Sequence, residues 1–347
     1  MAEGIITNRK RISKPLINFT YTGKYKYINE GGGNWKIKFL TSGTLTVDSY
    51  IDVDLFLVGG GAGGRQAYNN GTGGGGGYTK TVEFKRLFNT DSYEIIIGNG
   101  GNPAYDLSDT YGGNTKFRYP GTPSVDYIAK GAKGINGGCG GGNINGNGGT
   151  DGSNGENSGG TGQGETTREF GENNGALYAG GGGGYNGLGG NGGGGNGATD
   201  SATATTPTKN SGAGGGGSNT TNNGATGGAD GIVIIRNTAK VRITSQPADI
   251  TTAVNTYADF TLSASGRITN YQWQFSPPNG QWSNTTLPGY NTPTLHVQAL
   301  SYRNNYQYRC IVTGQKNTVT SNSATLPITG ISQSSINLIN KADKFRE

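Results

Sequence analysis

The chain has 347 residues, of which 68 are glycine and 19 tyrosine; only 14% are charged, and the formal net charge is +6. Hydrophobic residues make up 31%, which is little for an ordinary core, and no run approaches the roughly 20 apolar residues of a membrane span. One histidine and two cysteines argue against a histidine-built metal centre, a catalytic cluster and a disulfide framework. The length is that of two or three domains.

Charge is distributed unevenly. Residues 1–40 carry eight basic and two acidic side chains, whereas 131–231 carry three and seven. A nucleic-acid reading would rest on Arg9, Lys10, Arg11 and Lys14 alone, and a solvated docking arm fits that segment better. Residues 1–17 are therefore expected to be an arm without a fold of its own. Arg9, Lys10, Arg11 and Ile12 are its candidate assembly contacts. Met1 to Ile12 has no apolar stretch of signal-peptide type, so synthesis in a cytosol is the expectation.

From Asn18 onward the pattern becomes β. Phe19, Tyr21, Tyr25 and Tyr27 occupy odd positions, and Trp35, Ile37 and Phe39 repeat the alternation with Lys36 and Lys38 facing out. Ser42-Gly43 makes a turn. Strands are expected over 44–47, 52–58, 78–84, 93–97, 114–119 and 125–129. No segment before residue 330 has a helical pattern. Asp52 and Asp54 alternate with apolar residues, which reads as a solvent-facing strand edge and not as an acid–base pair.

Gly59-Gly60-Gly61-Ala62-Gly63-Gly64 follows a strand and matches the spacing of a dinucleotide fingerprint. That reading needs a helix to follow, whose N-terminus would hold the pyrophosphate. The chain continues instead through Arg65 to Thr72 into five more glycines, each unfavourable to a helix by nearly ~1 kcal/mol. No phosphate loop is present either, so no cofactor and no metal is expected.

Residues 131–231 hold 40 of the 68 glycines. Ordering one residue costs about 1–2 kcal/mol, and glycine has no side chain to offset it by burial. Such a stretch is a flexible linker, or its peptide groups bond laterally between threefold extended helices. The interruptions favour the second: Cys139, Ile144, Phe170, Leu177, Tyr178, Tyr185 and Leu188 are scattered through it, and it ends in the apolar run Gly231-Ile-Val-Ile-Ile-Arg236. Two polar inserts break the glycines. One, 162–178, carries Arg168, Glu169, Phe170, Glu172 and Tyr178; the other, 201–211, lacks glycine and includes Pro207 and Lys209. Both are candidate recognition loops, because they bring side chains to a bare scaffold. Arg168, Phe170, Tyr178, Tyr185 and Lys209 are the candidate receptor contacts there.

Four segments carry a family resemblance: Phe39 to Val47, Val53 to Gly64, Tyr93 to Gly101 and Gly228 to Arg236. Together they resemble the glycine-rich domain of bacterial and phage surface proteins over about residues 35–237. The resemblance implies a β-sandwich joined to packed polyglycine II helices. It also implies loops presented to host receptors, as in some phage tail-fibre tip adhesins.

Residues 240–329 have another composition. Trp273 sits in the alternating run Asn270 to Phe275, and Cys310 follows 37 residues later, with Tyr308 two residues before it. That spacing resembles bacterial and phage immunoglobulin-like domains, including their tyrosine corner. The position expected to pair with Cys310 is Leu262, eleven residues before Trp273, so the inter-sheet disulfide is expected to be missing and Cys310 to be a buried apolar residue. His296 lies between Leu295 and Val297 and is expected at the surface. Trp282, Tyr290 and the Pro277-Pro278 loop are candidate sugar contacts or simple loop packing. Residues 330–347 read as a docking tail with a short amphipathic helix.

The expected fold is all-β: an arm (1–17), a glycine-rich β domain (18–237), an immunoglobulin-like sandwich (240–329) and a tail (330–347). The expected function is that of a non-enzymatic bacteriophage virion protein, tail-associated and engaged in host attachment. The alternatives are a capsid or collar decoration protein, or a bacterial adhesin. Its expected partners are other virion proteins, held through arm and tail within an oligomeric assembly, and a host-surface glycan or protein. Nucleic acid and membrane are not expected partners.

Overall fold

A computed structural model describes residues 17–67, 71–105, 110–120, 125–219 and 224–331. Arg9, Lys10, Arg11 and Ile12 of the arm, and tail residues 332–347, lie outside the described residues. The chain divides into two units, Met1–Arg236 and Asn237–Glu347.

In the first unit the described strands are β1 (Phe19–Tyr21), β2 (Tyr25–Gly31), β3 (Asn34–Phe39), β4 (Gly43–Val47), β5 (Ile51–Val58), β6 (Thr79–Leu87), β7 (Tyr93–Ile96), β8 (Thr115–Tyr119), β9 (Val125–Ala129) and β10 (Ile232–Asn237). They form two five-stranded sheets, β1-β4-β7-β8-β9 and β2-β3-β10-β5-β6. Period-two alternation puts Trp35, Ile37, Phe39, Val53, Leu55, Leu57, Val233 and Ile235 into one core with Leu45, Tyr93, Ile95 and Phe117 of the other sheet. The even-numbered positions of β5 and β10 are also buried. Phe56, Val58, Ile232 and Ile234 pack beneath Phe170, Tyr178 and Ala179 in a second cluster. Burial on both faces explains the unbroken apolar runs Leu55 to Val58 and Ile232 to Ile235 within these two strands.

The first β pattern divides between the sheets, and one expectation, that for Asp52 and Asp54, is corrected. The alternating run from Phe19 to Tyr27 is two strands, which pair with β4 and β3 in different sheets. The chain crosses between them at Gly23, where a Cβ would lie 2.6 Å from the Ser42 carbonyl oxygen. Asp52 and Asp54 do not face solvent: they are 8% and 1% exposed. Arg86 Nε donates to Asp52 at 2.9 Å, and the Phe84 N–H donates to Asp54 at 3.0 Å across a bulge.

The glycine stretch is an ordered lattice of backbone hydrogen bonds. The segment 60–65 shows its rule. Gly60 and Gly63 donate to Gly113 and Thr110, Gly61 and Gly64 to Ala229 and Thr226, and Ala62 and Arg65 to Gly75 and Thr72. Successive N–H groups thus address three neighbours in turn and return to the first after three residues, as a threefold extended helix requires. The segment 180–185 repeats the scheme with 192–195, 146–149 and 71–74 as partners. Close approach needs the missing side chain: a Cβ on Gly61 would stand 2.0 Å from the Ala213 carbonyl oxygen. The lattice is wider than the stretch 131–231, since 59–64, 71–77, 98–101 and 112–113 of the sandwich connections belong to it. The N–H groups of Gly60 to Gly64, which a dinucleotide site would turn toward phosphate, are all used in it.

The second unit has strands β11 (Arg242–Ser245), β12 (Thr252–Ala253), β13 (Tyr257–Thr261), β14 (Ser263–Ser265), β15 (Ile268–Ser276), β16 (Ser283–Asn284), β17 (Thr294–Gln298), β18 (Tyr306–Gly314), β19 (Thr318–Thr320), β20 (Ala324–Leu326) and β21 (Ile328–Thr329). One sheet runs β16-β15-β18-β19 with β20 also on β18; opposite it β11 pairs β14 and β13 pairs β17. This is the expected immunoglobulin-like sandwich, and the whole described chain is all-β. Trp273 stands opposite Cys310 in register. Both are in the core with Leu262 and Tyr308, and Cys139 and Cys310 are free thiols.

Candidate functional site

The sheet β2-β3-β10-β5-β6 offers its outer face to the insert 162–178. Even-numbered positions of β3 and β10 point that way, which presents Lys36, Lys38 and Arg236 around the apolar Ile232 and Ile234. The insert answers with two carboxylates. Glu169 takes Lys36 at 2.7 Å and Lys38 at 3.5 Å, and Glu172 takes Arg236 at 2.8 Å. Burial opposes the Lys36 charge, but Glu169 and Glu30 outweigh it and hold the ammonium above the usual lysine range. Phe170 enters the cluster from a tight turn with φ 56 and lies 5.8 Å from Phe56, ring to ring.

Tyr178 closes this face. Its ring is 5.5 Å from Phe56, and its hydroxyl accepts from Lys38 Nζ at 2.6 Å. Burial raises its pKa, with the Glu169 charge adding to the effect, so it remains a neutral phenol.

Beyond Tyr178 a cleft of about 680 Å³ opens, and both sequence-identified inserts line it. Ala176, Leu177 and Tyr178 come from the first, and Thr208, Lys209 and Asn210 from the second. Lys38, Leu40 and Ile232 contribute the sheet wall, with Gly192 and Gly193 opposite. Asn210 fixes the second insert. Its side-chain NH2 donates to the carbonyls of Leu40 at 2.9 Å and Gly231 at 3.2 Å, while its backbone adopts φ 53. Ser211 Oγ donates to the Thr208 carbonyl at 2.6 Å, and the Thr208 N–H donates to Gly193. Lys209 is left exposed at the rim. The cleft therefore combines an apolar floor with two lysines, and its walls are set before any ligand arrives.

The other predicted contacts fall elsewhere. Phe170 and Tyr178 are 3% and 7% exposed, as is Tyr185 at 7%; they hold the inserts in place and do not display them, which corrects the expectation that they face a receptor. Apolar rings above an apolar sheet face are buried because nothing else covers that face. Arg168 donates to Asp151 at 3.1 Å and to the Gly175 carbonyl at 3.3 Å. Asp151 is raised by burial, but Thr166, Thr167 and Arg168 together hold its carboxyl below the usual range. Tyr185 packs with Ile144, Ala198 and Ala204 at the glycine turns and donates its hydroxyl to Asp200.

Trp282 and Tyr290 belong to the second unit. The Arg309 guanidinium lies 4.1 Å above the Trp282 ring, and Tyr290 is exposed, with its carbonyl taking the Trp273 N–H at 2.8 Å. His296 is at the surface with Asp259 at 2.7 Å. Among the described residues no group of three or more His, Cys, Asp or Glu could hold a metal ion, and no helix is long and apolar enough to cross a membrane.

Asn210 and the Gly192-Gly193 wall were not identified from sequence. One signal for Asn210 was present: Asn145, Asn157, Asn186, Asn210, Asn255, Asn279 and Asn305 all take positive φ, the conformation asparagine tolerates best after glycine. A repeat was also readable. The turn at Asn145 recurs 41 residues later at Asn186, and Asn145 and Asn147 accept from Asn186 and Leu188 across that interval.

Fold and site together define an all-β protein in which a glycine hydrogen-bond lattice is joined to a β-sandwich and carries two polar inserts. A family model described as a glycine-rich domain matches residues 40–238, more than half of the chain. The chain belongs to that family. No curated protein matches it. Two solved structures, the tandem Ig repeats of Dlar and the N-terminal Ig1-2 module of the Drosophila receptor protein tyrosine phosphatase DLAR, each share 15% identity with it. Each match covers 28% of this chain and 70% of the other, at a TM-score of 0.22, a similarity that carries no argument.

Proposed function

We propose that the protein is a non-enzymatic structural component of a bacteriophage virion, tail-associated, which uses its glycine-rich domain in attachment to the host surface. The observation that carries this reading is the meeting of the two inserts around one preformed cleft on a rigid backbone lattice. A scaffold ordered by its own peptide groups loses little further entropy when its loops bind, which favours affinity. Residues 1–17 and 330–347 are the proposed links to other virion proteins.

The exposed rim gives a test that leaves the packing intact. In assembled particles, Lys209→Glu and Ala176→Trp alter the cleft at exposed positions. Each should assemble at normal copy number, measured by mass spectrometry of purified particles, and adsorb to host cells at least tenfold more slowly. Normal adsorption by both variants would rule out the cleft as the attachment site and favour a decoration role.

A further inference from the structure

A second cleft lies within the C-terminal sandwich, where its core opens at one end. It has a volume of about 290 Å³, at the small end of the ligand-pocket range of about 300–1,000 Å³. It suits a single ring, not an extended ligand.

Its walls are aromatic and set at a corner. Tyr306 lies parallel to Phe275, ring centroids 6.1 Å apart at 3°. Tyr302 stands against Tyr306 at 6.4 Å and 75°. The Arg303 guanidinium lies 5.2 Å from the Tyr302 centroid and donates to the Gln298 carbonyl at 2.9 Å, so Tyr302 is held although it is 50% exposed. An exposed aromatic side chain fixed by a bonded cation is a preformed platform, not a mobile surface residue.

Polar groups ring this corner. Asn284 accepts from Gln274 through Oδ1 at 2.9 Å, which leaves its NH2 donors for a ligand. Thr286 adds an exposed hydroxyl. Tyr308 is the most telling. It is almost completely buried, stacked 4.9 Å from Phe260, and it lines the cleft. Its hydroxyl has no hydrogen-bond partner among the described residues. The tyrosine of an immunoglobulin corner ordinarily bonds back to the chain, whereas this one lines the cleft. The cleft is where that hydroxyl can be met.

We propose that this cleft binds one pyranose ring of a glycan. A pyranose has an apolar face of axial C–H groups, which suits the flat ring of Tyr302 or Tyr306. Its hydroxyl perimeter can both accept from the Asn284 amide and exchange hydrogen bonds with Tyr308 and Thr286. A planar aromatic ligand would leave those groups unmet, and an aliphatic one would use only the walls. This site is independent of the cleft in the glycine-rich domain, and its test needs neither cells nor particles.

Saturation-transfer NMR on the full chain, with maltotriose, lactose, chitotriose and a glucuronate-bearing disaccharide as probes, decides it. Transfer to the ring protons of at least one probe is expected. Tyr302→Ala should reduce that signal at least fivefold, and Tyr302→Phe, which keeps the platform, should retain most of it. Thr286→Trp fills the cleft without removing a ring and should abolish the signal at an unchanged thermal midpoint. Tyr257→Ala, at another exposed tyrosine of the same unit, should change nothing. The proposal is overturned if no probe receives transfer, or if both Tyr302→Ala and Thr286→Trp leave transfer intact.

Discussion

The guanidinium of Arg236 lies 3.9 Å from the ring centroid of Phe170, and this contact joins the last strand of the sandwich to the first glycine-region insert. Arg236 also faces Asp54 at 3.4 Å and Glu172 at 2.8 Å, so one buried cation binds the sheet and the insert together. Truncating Phe170 to alanine should cost about 3 kcal/mol from lost packing. Arg236→Met should cost about 3 kcal/mol, because two carboxylates lose a buried cation. The double variant should fall short of the sum by at least ~0.5 kcal/mol, since the two side chains touch. Guanidinium unfolding of the three variants measures this, and strict additivity would show that the contact carries no coupling.

The lattice predicts a sharp contrast between glycines of the same type. A Cβ at Gly61 would meet the Ala213 carbonyl oxygen at 2.0 Å, whereas at Gly224 it would meet nothing within 4 Å. Gly61→Ala should therefore destabilise the domain by more than about 3 kcal/mol through overpacking against backbone. Gly224→Ala should stay within about 0.5 kcal/mol of the parent. Amide exchange gives an independent reading: the N–H groups of 60–64, 73–77 and 181–184 donate to backbone carbonyls and should exchange slowly despite their lack of side chains. Fast exchange at those positions would mean the hydrogen bonds are not kept in solution.

Much of this was readable from residue order. Strands such as Asn34–Phe39 and Tyr93–Ile96 announce themselves by alternation, and Trp273, Tyr308 and Cys310 mark the second sandwich by spacing. Phe170 and Tyr178 were misjudged for a physical reason. An aromatic residue among glycines looks like a displayed side chain until one knows that the sheet beneath has an uncovered apolar face. That face exists because Phe56, Val58, Ile232 and Ile234 come together from strands far apart in sequence. Asp54 was misjudged in the same way, since its partner Arg236 is 182 residues away. The cleft between the inserts depends on which lattice segments are neighbours, and glycine runs are too alike to specify that.

Both thiols should be silent in the native protein. Burial pushes the Cys310 thiol up to about 12, and burial likewise raises Cys139 despite the Gly152 N–H directed at its sulfur. A raised thiol pKa means that the folded state holds the proton more tightly than the unfolded one. The resulting stability is full below the ordinary thiol pKa of 9.0 and is lost as pH rises toward about 12. Native protein should leave both cysteines unlabelled by a thiol reagent at neutral pH, with both labelled after denaturation. Cys310→Val, which cannot ionise, should show a shallower alkaline loss of stability than the parent. Rapid native labelling of Cys310 would contradict its burial.

The second insert should be held by one side chain, and the two costs of losing it can be separated. Asn210 donates to the carbonyls of Leu40 and Gly231 while sitting at φ 53. Asn210→Ala removes both hydrogen bonds and leaves a residue with a Cβ in the left-handed region. Asn210→Gly removes the same bonds but relieves the backbone, since glycine adopts that region freely. Each lost hydrogen bond is worth about 1 kcal/mol, and the left-handed conformation costs an ordinary residue about 1–2 kcal/mol. Asn210→Gly should therefore destabilise by about 2 kcal/mol and Asn210→Ala by at least ~1 kcal/mol more. In both variants the Thr208 and Ala213 amides, which depend on the turn at Ser211, should lose exchange protection, and amides of the β5–β10 core should not. Equal stability of the two variants would show that the backbone at 210 relaxes out of the left-handed region without Asn210, and the walls of the cleft would then be set by the glycine lattice instead of by this side chain.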